Sequence, residues 1–173
     1  HEETVKNISK SIVDLGLVPY GIEETVSMMH YFEFFMHGTG HWLGLDVHDA
    51  GSIDIDKKPR KFEEGMVTTI EPGIYIKENK PIVDFPILER DPKKIKERRR
   101  DLGMEEATKV EKKEVDEAKK VSHKIPEELL GIGIRIEDDI VCREKGPLNL
   151  TEAVPREVDE IEEICRSRPD PQK

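Results

Sequence analysis

The sequence predicts an α+β fold, with helices at both ends of the chain and short strands between them. Three observations carry this. Val5, Ile8, Ile12 and Leu15 recur at helical spacing near the start. Met66–Ile70 (MVTTI), Ile74–Ile76 and Gly131–Val141 (GIGIRIEDDIV) read as strands, the first two flanking a Glu71-Pro72-Gly73 turn. Pro155 stands near the first turn of a helix spanning Arg156–Cys165.

Taken in order, the first helix runs from His1 to Gly16, where glycine suits a C-cap. Pro19 and Gly21 break the chain, and a short helix is expected near Glu23–Met29. Phe34–Asp49 (FFMHGTGHWLGLDVHD) follows; Leu43, Leu45 and Val47 alternate with Gly44 and Asp46, which predicts an extended stretch ending at His48-Asp49. Gly131–Val141 is expected as one strand and its continuation. Asp91-Pro92 can start a helix that ends on Gly103, and Met104–His123 is again helix-like, with opposite charges three and four apart. In the closing helix Val158, Ile161 and Cys165 can face a core.

The chain has 173 residues, 38% of them charged, a net charge of −10 and only 35% hydrophobic residues. Globular domains usually carry roughly 45–50% apolar residues. The excess charge is local: of the 32 residues from Glu89 to Lys120, 22 are charged. Residues 89–124 are therefore expected as a partly helical surface insertion in an otherwise ordinary acidic domain.

Several function classes drop out. An acidic chain makes a poor nucleic-acid binder, which needs a basic face. No apolar run approaches the roughly 20 residues of a membrane span. Two cysteines and a polar N-terminus point to a reducing compartment, the cytoplasm. The first residue is His1, not Met, which suggests a fragment or a processed form.

Three histidines, His37, His41 and His48, fall within twelve residues. His37 and His41 stand four apart, as on a metal-binding helix face, but Gly38 and Gly40 between them oppose a helix by about 2 kcal/mol together. A tight loop with open backbone beside a ligand is expected instead. Glu71 and Glu137 each follow an apolar run. A carboxylate in such a setting needs a partner, an arginine or a metal, because an isolated buried charge is very costly. Arg135, two residues before Glu137, would share its face on a continuous strand and could form an ion pair with it. Glu71 could equally be a solvent-facing turn residue. Jointly, one His and two Glu form a nitrogen/oxygen donor set suited to Mn²⁺ or a similar ion.

HGTGHWLGLDVHD, TTIEPGIY and GIGIRIEDDIV, in this order, resemble the catalytic domain of the Xaa-Pro aminopeptidases (aminopeptidase P). These belong to the pita-bread metallopeptidases, with prolidase close behind. The resemblance implies a dinuclear site, usually of Mn²⁺, held by two Asp, one His and two Glu. His41, Glu71 and Glu137 match the His and Glu ligands, with Glu71 also the proton shuttle. His37 and His48 match histidines that contact substrate and stabilise the reacting carbonyl. Arg135 matches a residue that orients the ligands. Both Asp ligands lie upstream in the family. The expectation is therefore of residues 1–173 as the C-terminal half of the pita-bread domain, carrying three ligands of five, with weak activity or none on its own. The implied reaction is hydrolysis of the bond before proline. The implied partners are a proline-containing peptide and either the N-terminal part of the domain or a second copy. A prolidase, or a non-catalytic binding module on the same fold, is the alternative.

Overall fold

The computed structural model describes residues 1–55 and 58–167. The chain opens with helices α1 (Glu2–Asp14) and α2 (Ile22–Ser27) and a 3-10 turn at His30–Glu33. Two hairpins follow, β1 (Leu43–Gly44) with β2 (Val47–His48), and β3 (Asp54–Ile55) with β4 (Lys58–Pro59). Then come strands β5 (Val67–Ile70), β6 (Gly73–Tyr75) and β7 (Ile82–Pro86), and helices α3 (Pro92–Leu102) and α4 (Met104–Glu117). The chain closes with β8 (Lys120–Lys124), a 3-10 turn at Glu127–Leu129, β9 (Gly133–Arg135), β10 (Asp138–Val141), β11 (Leu148–Asn149) and α5 (Val158–Ser167).

These elements form two compact units. The first is His1–Gly38 with Pro72–Arg135; the second is Thr39–Glu71 with the chain from Ile136 onward. The first holds the hydrophobic core. The 3, 4 spacing read from sequence buries Val5, Ile8 and Ile12 on α1. The chain then leaves through Gly16 at a φ of 67°, a left-handed turn that glycine makes without strain. Strands β7 and β8 pair antiparallel from Ile82↔Lys124 to Pro86↔Lys120. Their alternation turns Val83 and Phe85 inward onto Phe34, Phe35 and Leu17. Asp84 faces out and accepts a 2.6 Å bond from the Ser122 hydroxyl. Each fully buried large side chain contributes about 1.5–3 kcal/mol.

Helices α3 and α4 form a hairpin braced by ion pairs. The Asp91 side chain caps α3 by accepting from the Lys93 N–H at 2.9 Å, with Pro92 in the first turn. Gly103, at a φ of 78°, turns the chain between the helices. Arg98 makes a two-pronged pair with Glu114 (2.8 and 2.9 Å), and Arg99 another with the nearly buried Glu111 (3.1 and 2.7 Å). The helix expected over Met104–His123 stops at Glu117. Residues 120–124 are instead strand β8, where Val121 and His123 alternate with more exposed neighbours.

In the second unit β5, β10 and β11 form an antiparallel sheet in the order β11-β10-β5. Asp138 pairs with Ile70 and Val141 with Val67. The strand expected over Gly131–Val141 is thus two. Strand β9 pairs with β6 in the first unit, β10 with β5 in the second, and the break falls at Ile136-Glu137. The run Met66–Ile76 breaks likewise at Glu71-Pro72, because proline has no N–H to continue a ladder. Helix α5 forms as expected, but Val158, Ile161 and Cys165 are exposed and do not face a core. No described helix is long and apolar enough to cross a membrane.

Candidate metal centre

The centre is built where the glycine-flanked loop Thr39–Trp42 lies along β5. The Thr69 N–H donates to the His41 carbonyl at 3.0 Å, and the His41 N–H donates to the Thr69 hydroxyl at 3.0 Å. The Thr68 hydroxyl donates to the same His41 carbonyl at 2.9 Å, and the Glu71 N–H donates to the Thr39 carbonyl at 2.7 Å. A Cβ on Gly40 would fall on the Thr69 carbonyl, so only glycine allows this approach. The tight loop expected from sequence has this physical cause.

The His41 ring is oriented by its own chain. Nδ1 lies 3.0 Å from the Trp42 carbonyl, which can only accept, so Nδ1 carries the proton. In the neutral ring Nε2 then holds a lone pair, 3.5 Å from Glu71 Oε1. Glu71 is 9% exposed, and its Oε1 accepts a 3.2 Å bond from the Thr69 hydroxyl. Continuing the β5–β10 register one step past Asp138↔Ile70 sets Glu137 opposite Glu71. One ligand atom from each of His41, Glu71 and Glu137 lies within 4.8 Å of the others, the one such trio among the described residues.

The donors fit a divalent cation. A lone pair and two carboxylates facing one another repel unless a proton or a cation lies among them. The imidazole bonded to a main-chain carbonyl through its far nitrogen is the usual arrangement of a metal-ligating histidine. One nitrogen and two oxygens suit a hard-to-borderline ion.

His48 reaches this group by a route other than the extended stretch expected. Leu45 and Asp46 form a two-residue turn, with Val47 at a φ of 67°, and fold β2 back on β1 so that His48 pairs with Leu43. A Cβ on Gly44 would lie 2.8 Å from the Asp49 backbone, so glycine permits the close hairpin. The His48 ring stacks obliquely on His41, with centroids 4.2 Å apart, and is exposed. His37 and Arg135 belong to the first unit. His37 places Nδ1 2.7 Å from the Gly38 carbonyl and Nε2 3.1 Å from the Tyr75 hydroxyl. Arg135 is exposed on β9, opposite Gly73. Because β9 ends at Arg135, the same-strand face once expected for Arg135 and Glu137 does not exist.

Sequence reasoning passed over several residues around the site. Thr69 was legible by strand alternation, two residues before Glu71. Asp138 was not. Its Oδ1 accepts from the Thr151 hydroxyl at 2.7 Å and its Oδ2 from Arg156 at 2.8 Å. The Thr151 hydroxyl, then Asn149, and the Arg156 charge hold the Asp138 carboxyl below the usual aspartate range.

Comparison with known proteins matches this arrangement to a family. Residues 1–144 match the model of metallopeptidase family M24. The Xaa-Pro aminopeptidase of Haemophilus influenzae is 34% identical over 164 residues, covering 95% of this chain and 28% of that protein. The structure of Pseudomonas aeruginosa aminopeptidase PepP superposes with a TM-score of 0.67 at 32% identity, over 96% of this chain and 28% of that one. Zinc-substituted Escherichia coli aminopeptidase P in complex with product gives a TM-score of 0.65 at 33% identity, over 97% and 28%. The chain therefore spans about 28% of the length of the relatives it matches, and it has their pita-bread fold over that span. With its three motifs in order and its donor trio gathered on that fold, the chain belongs to metallopeptidase family M24.

Proposed function

We propose that this chain contributes the imidazole and the two glutamates of a metal-dependent Xaa-Pro aminopeptidase centre, with Mn²⁺ as the working ion. The observation that carries the reading is the convergence of His41, Glu71 and Glu137 within 4.8 Å. Kinship at 34% identity with a curated Xaa-Pro aminopeptidase supports the substrate class, a peptide with proline second. A bound divalent ion supplies Lewis-acid polarisation of the scissile carbonyl and lowers the pKa of water.

The chain's own residues do the rest. His41 binds through Nε2 while its Nδ1–H stays on the Trp42 carbonyl. Glu71, anchored by Thr69, takes up a proton from the attacking water and passes it to the leaving proline nitrogen. His48 donates an N–H bond toward the carbonyl oxygen as charge develops there, and His37, whose Nδ1–H stays on the Gly38 carbonyl, contacts the substrate. Arg135 orients the ligand side chains. Within residues 89–124, the α3–α4 hairpin is a surface elaboration of the domain, whereas β8 belongs to its sheet with β7.

Two divalent ions bring four positive charges, and the two glutamates offset half of that. Three donors also leave a second ion short of ligands. On its own this chain holds at most one ion, and the remaining donors come from polypeptide outside these 173 residues. The two free cysteines, Cys142 and Cys165, are consistent with work in the cytoplasm.

The test is release of the first residue from a proline-second tripeptide by the protein carrying this chain, with and without Mn²⁺. Activity lost in Glu71→Gln and absent on an alanine-second tripeptide supports the reading. Cleavage confined to Xaa-Pro dipeptides would make it a prolidase. No metal-dependent cleavage of either would leave a binding module.

A further inference from the structure

The geometry points to Asp138, Thr151 and Arg156 as positioning residues that pin the strand end carrying Glu137, and so set the spacing of the two glutamates for a cation. This rests on the metal reading above.

Glu71 is secured at its own position: its N–H goes to the Thr39 carbonyl at 2.7 Å and its carboxylate takes the Thr69 hydroxyl at 3.2 Å. Glu137 stands one residue before β10, where the chain enters the second unit. The next residue, Asp138, is firmly anchored. Asp138 accepts from Thr151 on one oxygen (2.7 Å) and from Arg156 on the other (2.8 Å). The Thr151 oxygen accepts in turn from the Asp139 N–H at 3.1 Å, and the Thr151 N–H donates to Asn149 Oδ1 at 2.9 Å. The Leu150 N–H donates to the Asp139 carbonyl at 2.8 Å. Asn149, Leu150, Thr151 and Arg156, in and after β11, thus close a network on the first two residues of β10.

The clamp therefore grips the first residues of β10, directly after the residue that carries the carboxylate. One step past the last ladder pair, Asp138↔Ile70, the register sets Glu137 opposite Glu71, and like charges directly opposite drive strands apart. Freed of the clamp, the end of β10 would splay until a cation could no longer be shared by both carboxylates without reclosing the strand. Reclosing draws on binding energy, so the loss appears in metal affinity.

The experiment titrates the 173-residue chain with Mn²⁺, following the paramagnetic resonance signal of the free ion, alongside thermal melts without metal. The variants are Thr151→Val, which removes the hydroxyl at nearly constant shape, and Thr151→Ser, which keeps it. Arg156→Met removes the second prong, and Glu144→Gln matches its unit change in charge magnitude at an exposed position. Thr151→Val and Arg156→Met are expected to weaken binding about tenfold, the lower end for outer residues at metal sites. Thr151→Ser and Glu144→Gln should stay within about twofold of the parent. The inference is overturned if Thr151→Val binds like the parent, or if Thr151→Ser fails as badly as Thr151→Val. A parent chain that takes up no Mn²⁺, with Glu71→Gln indistinguishable from it, removes the metal reading itself and this inference with it.

Discussion

The two units divide stability and chemistry between them. Every buried apolar side chain among the described residues, from Val5 to Ile125, belongs to the first unit. In the second, the buried side chains are Thr69 and Glu71, both part of the candidate centre. The second unit's large apolar residues are displayed: Leu45, Val47, Ile53, Phe62, Val154 and Val158 are all more than half exposed. One unit is held by burial, the other by strand ladders and side-chain hydrogen bonds. Elements with few buried apolar contacts open at lower free energy. The donor trio therefore sits in the region whose local stability depends most on single polar contacts.

The sharpest way to break this comparison is to truncate one phenylalanine in each unit. Phe85→Ala removes a 2% exposed ring from the core and should cost about 3–5 kcal/mol. Phe62→Ala removes a 59% exposed ring that meets Trp42 edge-on at 5.4 Å, and should cost under about 1 kcal/mol. Urea unfolding measures both; equal losses would refute the division. Next in size is Gly40→Ala, whose new methyl must displace the Thr69 carbonyl. Overpacking of this kind costs about 1–3 kcal/mol. Because Thr69 holds both His41 and Glu71, the same change should abolish Mn²⁺ uptake in a calorimetric titration.

The same division explains what the sequence could and could not tell. Helices α1 and α3 were legible because their signals are local: the spacing of Val5, Ile8 and Ile12, the Asp91-Pro92 start and the Gly103 stop. The trio His41, Glu71 and Glu137 was legible as a donor set and through the resemblance of its motifs. The strand breaks at Glu71-Pro72 and Ile136-Glu137 were only half legible. Pro72 marks the first, but the second depends on which strand each segment pairs with, and that partner lies more than sixty residues away. The amphipathic pattern of α5 showed which side chains could be buried, not whether anything buries them. The Asp138–Thr151–Arg156 network has no sequence signature, since Thr151 and Arg156 meet Asp138 only after β11 turns back.

A smaller effect concerns acid. His30, 3% exposed, lies between Tyr20 and Phe85 and donates Nε2–H to the Pro86 carbonyl at 2.8 Å. Burial, with a further push from the Arg90 charge, lowers its pKa despite that bond. The folded state thus prefers the neutral ring. The stability this contributes is complete above the unfolded value of about 6.5 and is lost as pH falls below it. Melting midpoints of the first unit should drop between pH 7.5 and pH 5, and His30→Gln should flatten that drop. An unchanged slope in His30→Gln would assign the acid sensitivity elsewhere.

The smallest effect tests whether a histidine of the proposed reaction is held by its own unit. His37 donates Nδ1–H to the Gly38 carbonyl, which leaves Nε2 to accept from the Tyr75 hydroxyl at 3.1 Å. Its ring also meets Phe35 edge-on at 4.7 Å, within the core of the first unit. His48, by contrast, is exposed on a two-residue strand. Tyr75→Phe keeps the ring and deletes one hydrogen bond, a cost of about 1 kcal/mol. Nitrogen NMR of the histidines should then show Nδ1 of His37 still protonated and Nε2 shifted toward a bare lone pair, with the His48 signals unmoved. If the His37 proton instead redistributes between its nitrogens, the Tyr75 bond rather than the Gly38 carbonyl sets the tautomer. The order delivered by the first unit would then rest on one hydroxyl, just as His41 and Glu71 in the second unit rest on Thr69.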